Sequence, residues 1–372
     1  MIVIAPDSFK GTMSATTVCD IISKEFSAVF PDQEIRCIPI ADGGEGTVDA
    51  LLFNGGERVS VRVKDPYFND IDACFGIMPD GTAVIETAAA SGLPLVGDRK
   101  NPLLTTTYGT GQLISAALDR GCRRILVGLG GSATNDAGIG CIAALGVRFS
   151  DSDGNEAPLC GGGLSKIADI DLSGLDARVR EAEITALCDV VSPLYGENGA
   201  AYIFAPQKGA DEKAVAELDK GLSDFAAVAQ KALHRDFSSV PGAGAAGGLG
   251  FGLMAFLGAK TVGGAEAVLG ITGFAELAAQ ADLIITGEGC MDSQSILGKA
   301  PAKVAALSGG KPIIAIVGKS KIDSAAGIGI RRIYDTNYLD RPLELALAHS
   351  MEDLAHTAGE IARDIKANGI PD

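Results

Sequence analysis

Apolar residues follow two different rhythms along this chain, and the change of rhythm predicts its organisation. Residues 2–5 form a continuous apolar run ended by Pro6, the pattern of a strand buried on both faces. Val18, Ile21, Ile22 and Phe26 then recur at helical spacing behind Ser14, which predicts a helix with a serine at its start. Residues 35–40 repeat the strand pattern, and the glycine loop Asp42-Gly43-Gly44-Glu45-Gly46-Thr47 leads into another helix. Strand, glycine loop, helix and strand in that order predict a doubly wound parallel sheet.

After Glu57 the pattern changes. Residues 58–64, 71–78 and 82–86 are strand-like, closely spaced and separated by Asp-Pro and Pro-Asp-Gly turns, which predicts antiparallel pairing. Alternation then resumes: a helix from Thr110, a strand at 124–127, a helix after Thr134, a strand at 183–187 and a long helix at 211–233. Buried strands at 283–286, 312–317 and 332–334 return to the opening style, and an amphipathic helix follows Ser350. The expected fold is therefore α/β, with a discontinuous parallel-sheet domain (1–57 and 262–372) and an inserted α/β domain with a mixed sheet (58–261). Loops beyond the carboxyl ends of the strands carry ligands in such folds, and the active site is expected in the cleft between the domains.

Composition narrows the function. Hydrophobic residues at 47 % and charged residues at 21 % describe an ordinary globular chain. A formal charge of −16, without a Lys/Arg-rich run, argues against a nucleic-acid partner, although a few local cations can still hold an anion. The eight cysteines are scattered singly, which argues against a zinc ribbon and fits reduced thiols. No basic-flanked leader or membrane-length apolar run is visible, so the expected setting is the cytoplasm, without a membrane partner. A homo-oligomer is left open.

Four loops could carry chemistry. Asp7-Ser8-Phe9-Lys10 places a carboxylate, a hydroxyl and an amine at the end of the first strand. Asp42 and Glu45 sit among three glycines, where oxygen ligands could meet magnesium or a hydroxyl. The run Gly128-Leu129-Gly130-Gly131-Ser132-Ala133-Thr134-Asn135-Asp136 joins a strand to a helix and could cradle phosphate on its backbone N–H groups. Its partial match to the dinucleotide fingerprint lacks the acidic residue that would read a ribose. Thr286-Gly287-Glu288-Gly289-Cys290-Met291-Asp292-Ser293-Gln294 is the fourth; the nearby Gly298-Lys299 pair is not a P-loop, since position 293 is serine and Ala300 follows. A further G-x-G-x-x-G run ending at Gly247 follows Pro241 rather than a strand, and could form a glycine-rich helix entry. None of the three histidines lies in these loops, and no G-x-S-x-G elbow occurs. Acids, hydroxyls, a few lysines and many glycines are the equipment of phosphoryl transfer, where positioning and charge neutralisation dominate.

Those same segments resemble the type-1 glycerate kinase family. The resemblance rests on Ala-Pro-Asp7-Ser8-Phe-Lys10-Gly, Ile-Ala-Asp42-Gly-Gly-Glu45-Gly-Thr, Glu86-Thr-Ala-Ala-Ala-Ser91-Gly-Leu and Thr-Thr-Tyr-Gly-Thr-Gly111-Gln112. It continues through Gly130-Gly-Ser132-Ala-Thr-Asn135-Asp136, Cys188-Asp189-Val, Pro206-Gln207-Lys208-Gly, Ala-Ala-Gly247-Gly-Leu-Gly and Gly-Glu288-Gly-x-x-Asp292-x-Gln294. It implies a flavodoxin-like (Rossmann-type) domain with an inserted α/β domain, and ATP- and Mg2+-dependent phosphorylation of D-glycerate, with 2-phosphoglycerate favoured over the 3-isomer. One departure is Ser192, where the family usually has asparagine. On this reading Lys10, Asp42 and Asp189 are catalytic: Lys10 neutralises the transferred group or the substrate carboxylate, and Asp42 or Asp189 orients or deprotonates the hydroxyl. Gly130, Gly131, Ser132, Asn135, Asp136, Lys208 and Gly247 are expected to bind the nucleotide. Asp7, Ser8, Glu45, Ser192, Glu288 and Gln294 are expected to bind substrate, and Asp292 to hold the metal. The competing readings are a nicotinamide-dependent oxidoreductase and a sugar-acid sensor that keeps the fold without turnover.

Overall fold

The computed structural model describes residues 1–293, 295, 299–337 and 339–371. In chain order its strands are β1 (Ile2–Pro6), β2 (Ile35–Cys37), β3 (Glu57–Lys64), β4 (Asp70–Ile77), β5 (Ala83–Glu86), β6 (Arg124–Gly128) and β7 (Arg148–Ser150). They continue with β8 (Asp169–Asp171), β9 (Glu183–Leu187), β10 (Lys260–Val262), β11 (Leu283–Met291), β12 (Ile313–Ser320) and β13 (Ile330–Asp335). Two compact units result. The first comprises Met1–Asp42, Asp49–Asn54 and Ala265–Asp372, and the second Gly43–Val48 and Gly55–Gly264.

The first unit is built on a parallel sheet ordered β13-β12-β11-β1-β2. Its apolar runs are continuous because both faces are covered. Ile2, Ile4, Ile285, Ile314 and Ile316 meet Val18, Ile22 and Phe26 of the helix Ala15–Val29 and Leu354, Ala358 and Ile361 of the helix Ser350–Asn368. Val3, Ala5, Ile284, Ile313, Ala315 and Val317 meet Leu269, Phe274, Ala278 and Val304 on the other side. Each large apolar side chain so buried contributes about 1.5–3 kcal/mol. Ser14 caps the first helix, its hydroxyl accepting from Thr17 N at 3.1 Å. From β1 the chain turns to β2 on one side, while β11 and β12 extend the sheet on the other. The boundary between β1 and β11 is thus the topological switch point of a flavodoxin-type order.

Three strand ends differ from the sequence expectation. Pro39 has no N–H, so β2 closes at Cys37, although Ile38 N and Ile40 N still donate to Ile4 O and Pro6 O at 2.8 and 2.9 Å. β11 runs on to Met291 and β12 to Ser320, because their glycines admit close approach; a Cβ on Gly287 would lie 2.0 Å from Ile316 O.

The second unit has a mixed sheet ordered β10-β9-β6-β5-β4-β3. Its β3–β4 and β4–β5 pairs are antiparallel, and β5–β6, β6–β9 and β9–β10 are parallel. A two-stranded sheet joins β7 to β8. The helix Glu212–Leu233, capped by Asp211 through Ala214 N at 2.8 Å, buries Val215, Leu218, Leu222 and Phe225 in this unit's core.

Candidate active site

In the first unit the polar residues gather at the switch point. Asp7 follows β1, and its N–H donates to Gly287 O of β11 at 2.8 Å. Phe9 and Met13 exchange backbone hydrogen bonds of 2.9 and 3.0 Å, which close a tight turn over Lys10, Gly11 and Thr12 with Gly11 at φ 85°. The turn projects Lys10 outward, 77 % exposed, with its ammonium 3.3 Å from Asp42 Oδ2. Behind it passes Gly289, where a Cβ would stand 3.1 Å from Phe9 Cα and 3.2 Å from Lys10 N. The glycine allows β11 to run against the back of the lysine turn.

Three carboxylates give this end of the sheet its electrostatics. Burial pushes Asp7 up to about 6; the Ser8 N–H, donating to Oδ1 at 2.6 Å, pulls the other way, while Asp42 adds to the rise. Asp42 holds the Lys10 ammonium above its ordinary value. Glu288 lies within β11 rather than in a loop, is buried, and is pushed up chiefly by that burial. Its Oε1 is buried with no hydrogen-bond partner among the described residues. Asp292 Oδ1 accepts from Ser295 N and Oγ at 3.2 and 3.3 Å and lies 3.6 Å from Lys299 Nζ. Gln294, expected to bind substrate, lies outside the described residues.

In the second unit the carboxyl ends of β5, β6 and β9 carry the remaining candidates. The segment Gly43–Val48 is fastened there: Gly130 N donates to Gly43 O at 3.0 Å, and Val48 N to Glu86 Oε1 at 2.8 Å. A Cβ on Gly130 would come within 2.4 Å of Gly44 Cα, so the two loops fit only as paired glycine backbones. Glu45 is exposed and lies near Glu86, whose carboxyl is pushed up by burial first and by Glu45 as a smaller contribution. The sequence reading quoted Glu86 within a family motif but gave it no role, because it closes an apolar strand; an acid at the carboxyl end of a parallel strand was the available signal. Past β9, Asp189 is exposed and Ser192 half-buried, with Ser192 O accepting from Gly244 N at 2.9 Å.

The loop 129–138 is more enclosed than its sequence suggests. The helix after it is short, Ile139–Ala144, and Asp136 occupies its amino end. The Asp136 carboxylate accepts from Gly138 N (3.1 Å), Gly140 N (3.3 Å), and Thr107 N and Oγ1 (2.8 Å each). It is wholly buried, and burial pushes it up against those four bonds. Asp136 therefore spends its oxygens inside the fold, where they order the loop. Lys208, from the short turn Pro206–Lys208, reaches under the loop, 2 % exposed, and donates to Ser132 Oγ at 2.8 Å and Thr134 O at 2.7 Å. Burial lowers it to about 7, with Asp136 opposing.

Asn135 is fully buried, and both ends of its amide, like Thr134 Oγ1, lack a hydrogen-bond partner among the described residues. An orphaned amide of this kind is costly unless a ligand or water completes it. Gly247, at φ +68°, backs the loop: its O accepts from Ala137 N at 3.0 Å, and a Cβ there would stand 2.0 Å from Thr134 O. The run ending at Gly247 is thus a support for the 129–138 loop, within a helix (Ala245–Leu257) whose backbone is left-handed at Ala246, Gly247 and Gly248.

Among the described residues no group of three or more His, Cys, Asp or Glu side chains converges as a metal cage, and no helix is long and apolar enough to cross a membrane. Comparison with known proteins gives a consistent result. The glycerate kinase family model matches residues 2–366. A glycerate kinase of Bacillus subtilis (strain 168) is 47 % identical over 372 residues, covering 98 % of this chain and 97 % of its own. The glycerate 2-kinase of Escherichia coli (strain K12) is 50 % identical over 323 residues, 85 % of this chain and 84 % of its own. A crystal structure from Salmonella typhimurium LT2, assigned to glycerate kinase 2, superposes with a TM-score of 0.89 at 42 % identity, covering 98 % of both chains.

Proposed function

Since this chain belongs to the glycerate kinase family, we infer that it catalyses the ATP-dependent phosphorylation of D-glycerate, with 2-phosphoglycerate as the favoured product. The observation that carries the reading is the cluster of Asp7, Lys10, Asp42 and Glu288 at the switch point, where a flavodoxin-type sheet takes its ligand. An exposed ammonium beside the exposed Asp42 and half-buried Asp7 carboxylates, with Glu288 buried in β11, suits a small anionic hydroxy acid. Lys10 neutralises charge on the acceptor carboxylate or the transferred phosphoryl group. Asp42 keeps Lys10 in place, and Asp42 and Asp189 orient the attacking hydroxyl.

On the nucleotide side, the Gly130–Ser132 backbone and the Asn135 amide face the phosphates, and Lys208, Asp136 and Gly247 hold that loop in shape. Ser8, Glu45 and Ser192 contact the acceptor. Magnesium fits this chain in its usual kinase manner, through one or two carboxylates and the nucleotide's own phosphates rather than an all-protein cage. Glu288, whose Oε1 has no hydrogen-bond partner among the described residues, and Asp292 would hold it. The ion would neutralise phosphate charge. A cytoplasmic setting accords with the reduced cysteines.

The test is ADP release from Mg-ATP with D-glycerate, L-glycerate, tartronate or no acceptor, with the product identified by 31P NMR. Turnover that depends on D-glycerate and yields the 2-phosphate is expected. Absence of turnover with every glycerate, from folded protein, would refute the reading.

A further inference from the structure

We propose that Glu86 is a positioning residue for the acceptor: its carboxylate fixes the segment Gly43–Val48 and thereby sets Glu45 against the acceptor's hydroxyl groups. The proposal rests on the glycerate kinase reading, in which Glu45 contacts the acceptor, and adds to it the residue that keeps that contact in place.

An acid stands here where packing alone would favour an apolar side chain. β5 reads Ala83-Val84-Ile85-Glu86; its first three residues are fully buried, and Glu86, half-buried, closes the strand beside Gly128 of β6. Thr87 N donates to Gly128 O at 2.9 Å, so Glu86 sits where the 129–138 loop leaves the sheet. A carboxylate drawn this far out of water is costly unless donors meet it. Its donors come from the backbone of one segment: Oε1 accepts from Val48 N at 2.8 Å, and the Gly46 N–H is a second.

That segment has little else to order its exposed part. Gly43, Gly44 and Gly46 have no side chains to pack, and Glu45 is exposed. At its first end Gly43 O accepts from Gly130 N at 3.0 Å, and Gly43 lies so near β9 that a Cβ would stand 2.6 Å from Leu187 O. Thr47 Oγ1 donates to Gly44 O at 2.7 Å and tightens the middle. At the other end the Glu86 carboxylate takes the Val48 N–H, a charge-assisted bond of the stronger kind. Glu45 projects between these two fastenings. Without the Glu86 oxygens the N–H groups following Glu45 lose their acceptor, and Glu45 loses its fixed geometry. An acceptor held through Glu45 then binds more weakly, while a nucleotide held on the Gly130–Ser132 backbone does not.

The experiment is steady-state kinetics with Mg-ATP and D-glycerate on wild type, Glu86→Ala, Glu86→Gln, Glu45→Ala and the double variant Glu45→Ala/Glu86→Ala, with thermal unfolding in parallel. Glu86→Ala should raise KM for D-glycerate about tenfold and leave KM for Mg-ATP within about twofold. Glu86→Gln keeps an oxygen for the Val48 N–H and should stay within about threefold of wild type. Glu45→Ala should raise KM for D-glycerate about tenfold by itself, and adding Glu86→Ala should then change it by less than about twofold, since both act through one contact. A purely structural role would lower the unfolding temperature and weaken both substrates alike. The assignment is overturned by an unchanged KM for D-glycerate in Glu86→Ala or Glu45→Ala, by equal rises for both substrates, by a Glu86→Gln enzyme no better than Glu86→Ala, or by effects that multiply in the double variant. Should Glu86→Ala fail to fold, Glu86→Asp, one methylene short of the Val48 N–H, replaces it under the same criteria. Absence of turnover in wild type would refute the proposed function, whereas these outcomes with wild type active refute the role of Glu86 alone.

Discussion

Replacing Lys208 with methionine tests the enclosed loop through its effect on stability against pH. The stem of Lys208 is buried, and its nitrogen serves two acceptors, Ser132 Oγ and Thr134 O. Methionine keeps most of the volume but leaves the Thr134 carbonyl without its lysine donor, a fixed loss of about 1–3 kcal/mol. The pH-dependent part is more diagnostic. Unfolded, the ammonium titrates near 10.5; folded, burial brings it to about 7. Between these values the unfolded chain binds the extra proton, so the lysine's contribution rises with pH and is lost as pH falls through about 7. The unfolded group stays charged from pH 7 to 9 while the folded one goes from half to almost wholly neutral, and integration gives about 2 kcal/mol over that interval. Urea denaturation of both proteins at pH 6.5, 7, 8 and 9 measures it. Wild type should gain about 2 kcal/mol relative to Lys208→Met between pH 7 and 9, on top of the constant offset. Parallel stability curves over this range would mean that Lys208 is not an amine near neutrality, and would refute the argument.

Other expectations follow from the same geometry. Gly247→Ala forces a left-handed alanine and a Cβ at 2.0 Å from Thr134 O, and should cost about 2–5 kcal/mol in chemical denaturation; a loss below 0.5 kcal/mol would show that the contact relaxes freely. Lys10→Ala, at a 77 % exposed side chain, should lower kcat by about 10²-fold while the melting temperature stays unchanged; near-normal turnover would remove Lys10 from the mechanism. Ser192→Ala, if its hydroxyl meets the acceptor, should raise KM for glycerate about three- to tenfold with little effect on kcat, and an unchanged KM would place the hydroxyl elsewhere.

Much of this architecture was legible because burial leaves a direct mark on sequence. Strands β1 and β6, covered on both faces, read as short apolar runs, and the antiparallel β3–β4 pair read from its turn residues. The long helix Glu212–Leu233 was visible from its spacing and from Asp211 at its cap. Strand ends were less legible. β11 passes Thr286 into a glycine-rich stretch that has the composition of a loop, and only its pairing with β12 as far as Met291 makes it a strand. The short strands β7, β8 and β10 gave no periodic signal, being three residues each. Motifs did locate the polar loops, but not the roles within them. Asp136 turned inward to its own loop's N–H groups, and Lys208, expected to bind the nucleotide, is buried under that loop on Ser132 and Thr134, because partners brought from distant parts of the chain decide where a polar atom points.

The pairing of β1 with β11 also bears on how the protein is made. Ile2 lies beside Leu283, so the centre of the first sheet joins the beginning of the chain to a strand some 280 residues later. At a synthesis rate of about 5–20 residues per second, β1 waits about 15–55 s for that neighbour to be translated. During this interval the segment Met1-Ile2-Val3-Ile4-Ala5 is an apolar strand without its central neighbour, and before it ends all residues of β3 through β10 have been made. The order of translation therefore favours early folding of the second unit and late completion of the first. The first five residues are where a nascent chain would most need a chaperone's protection from aggregation.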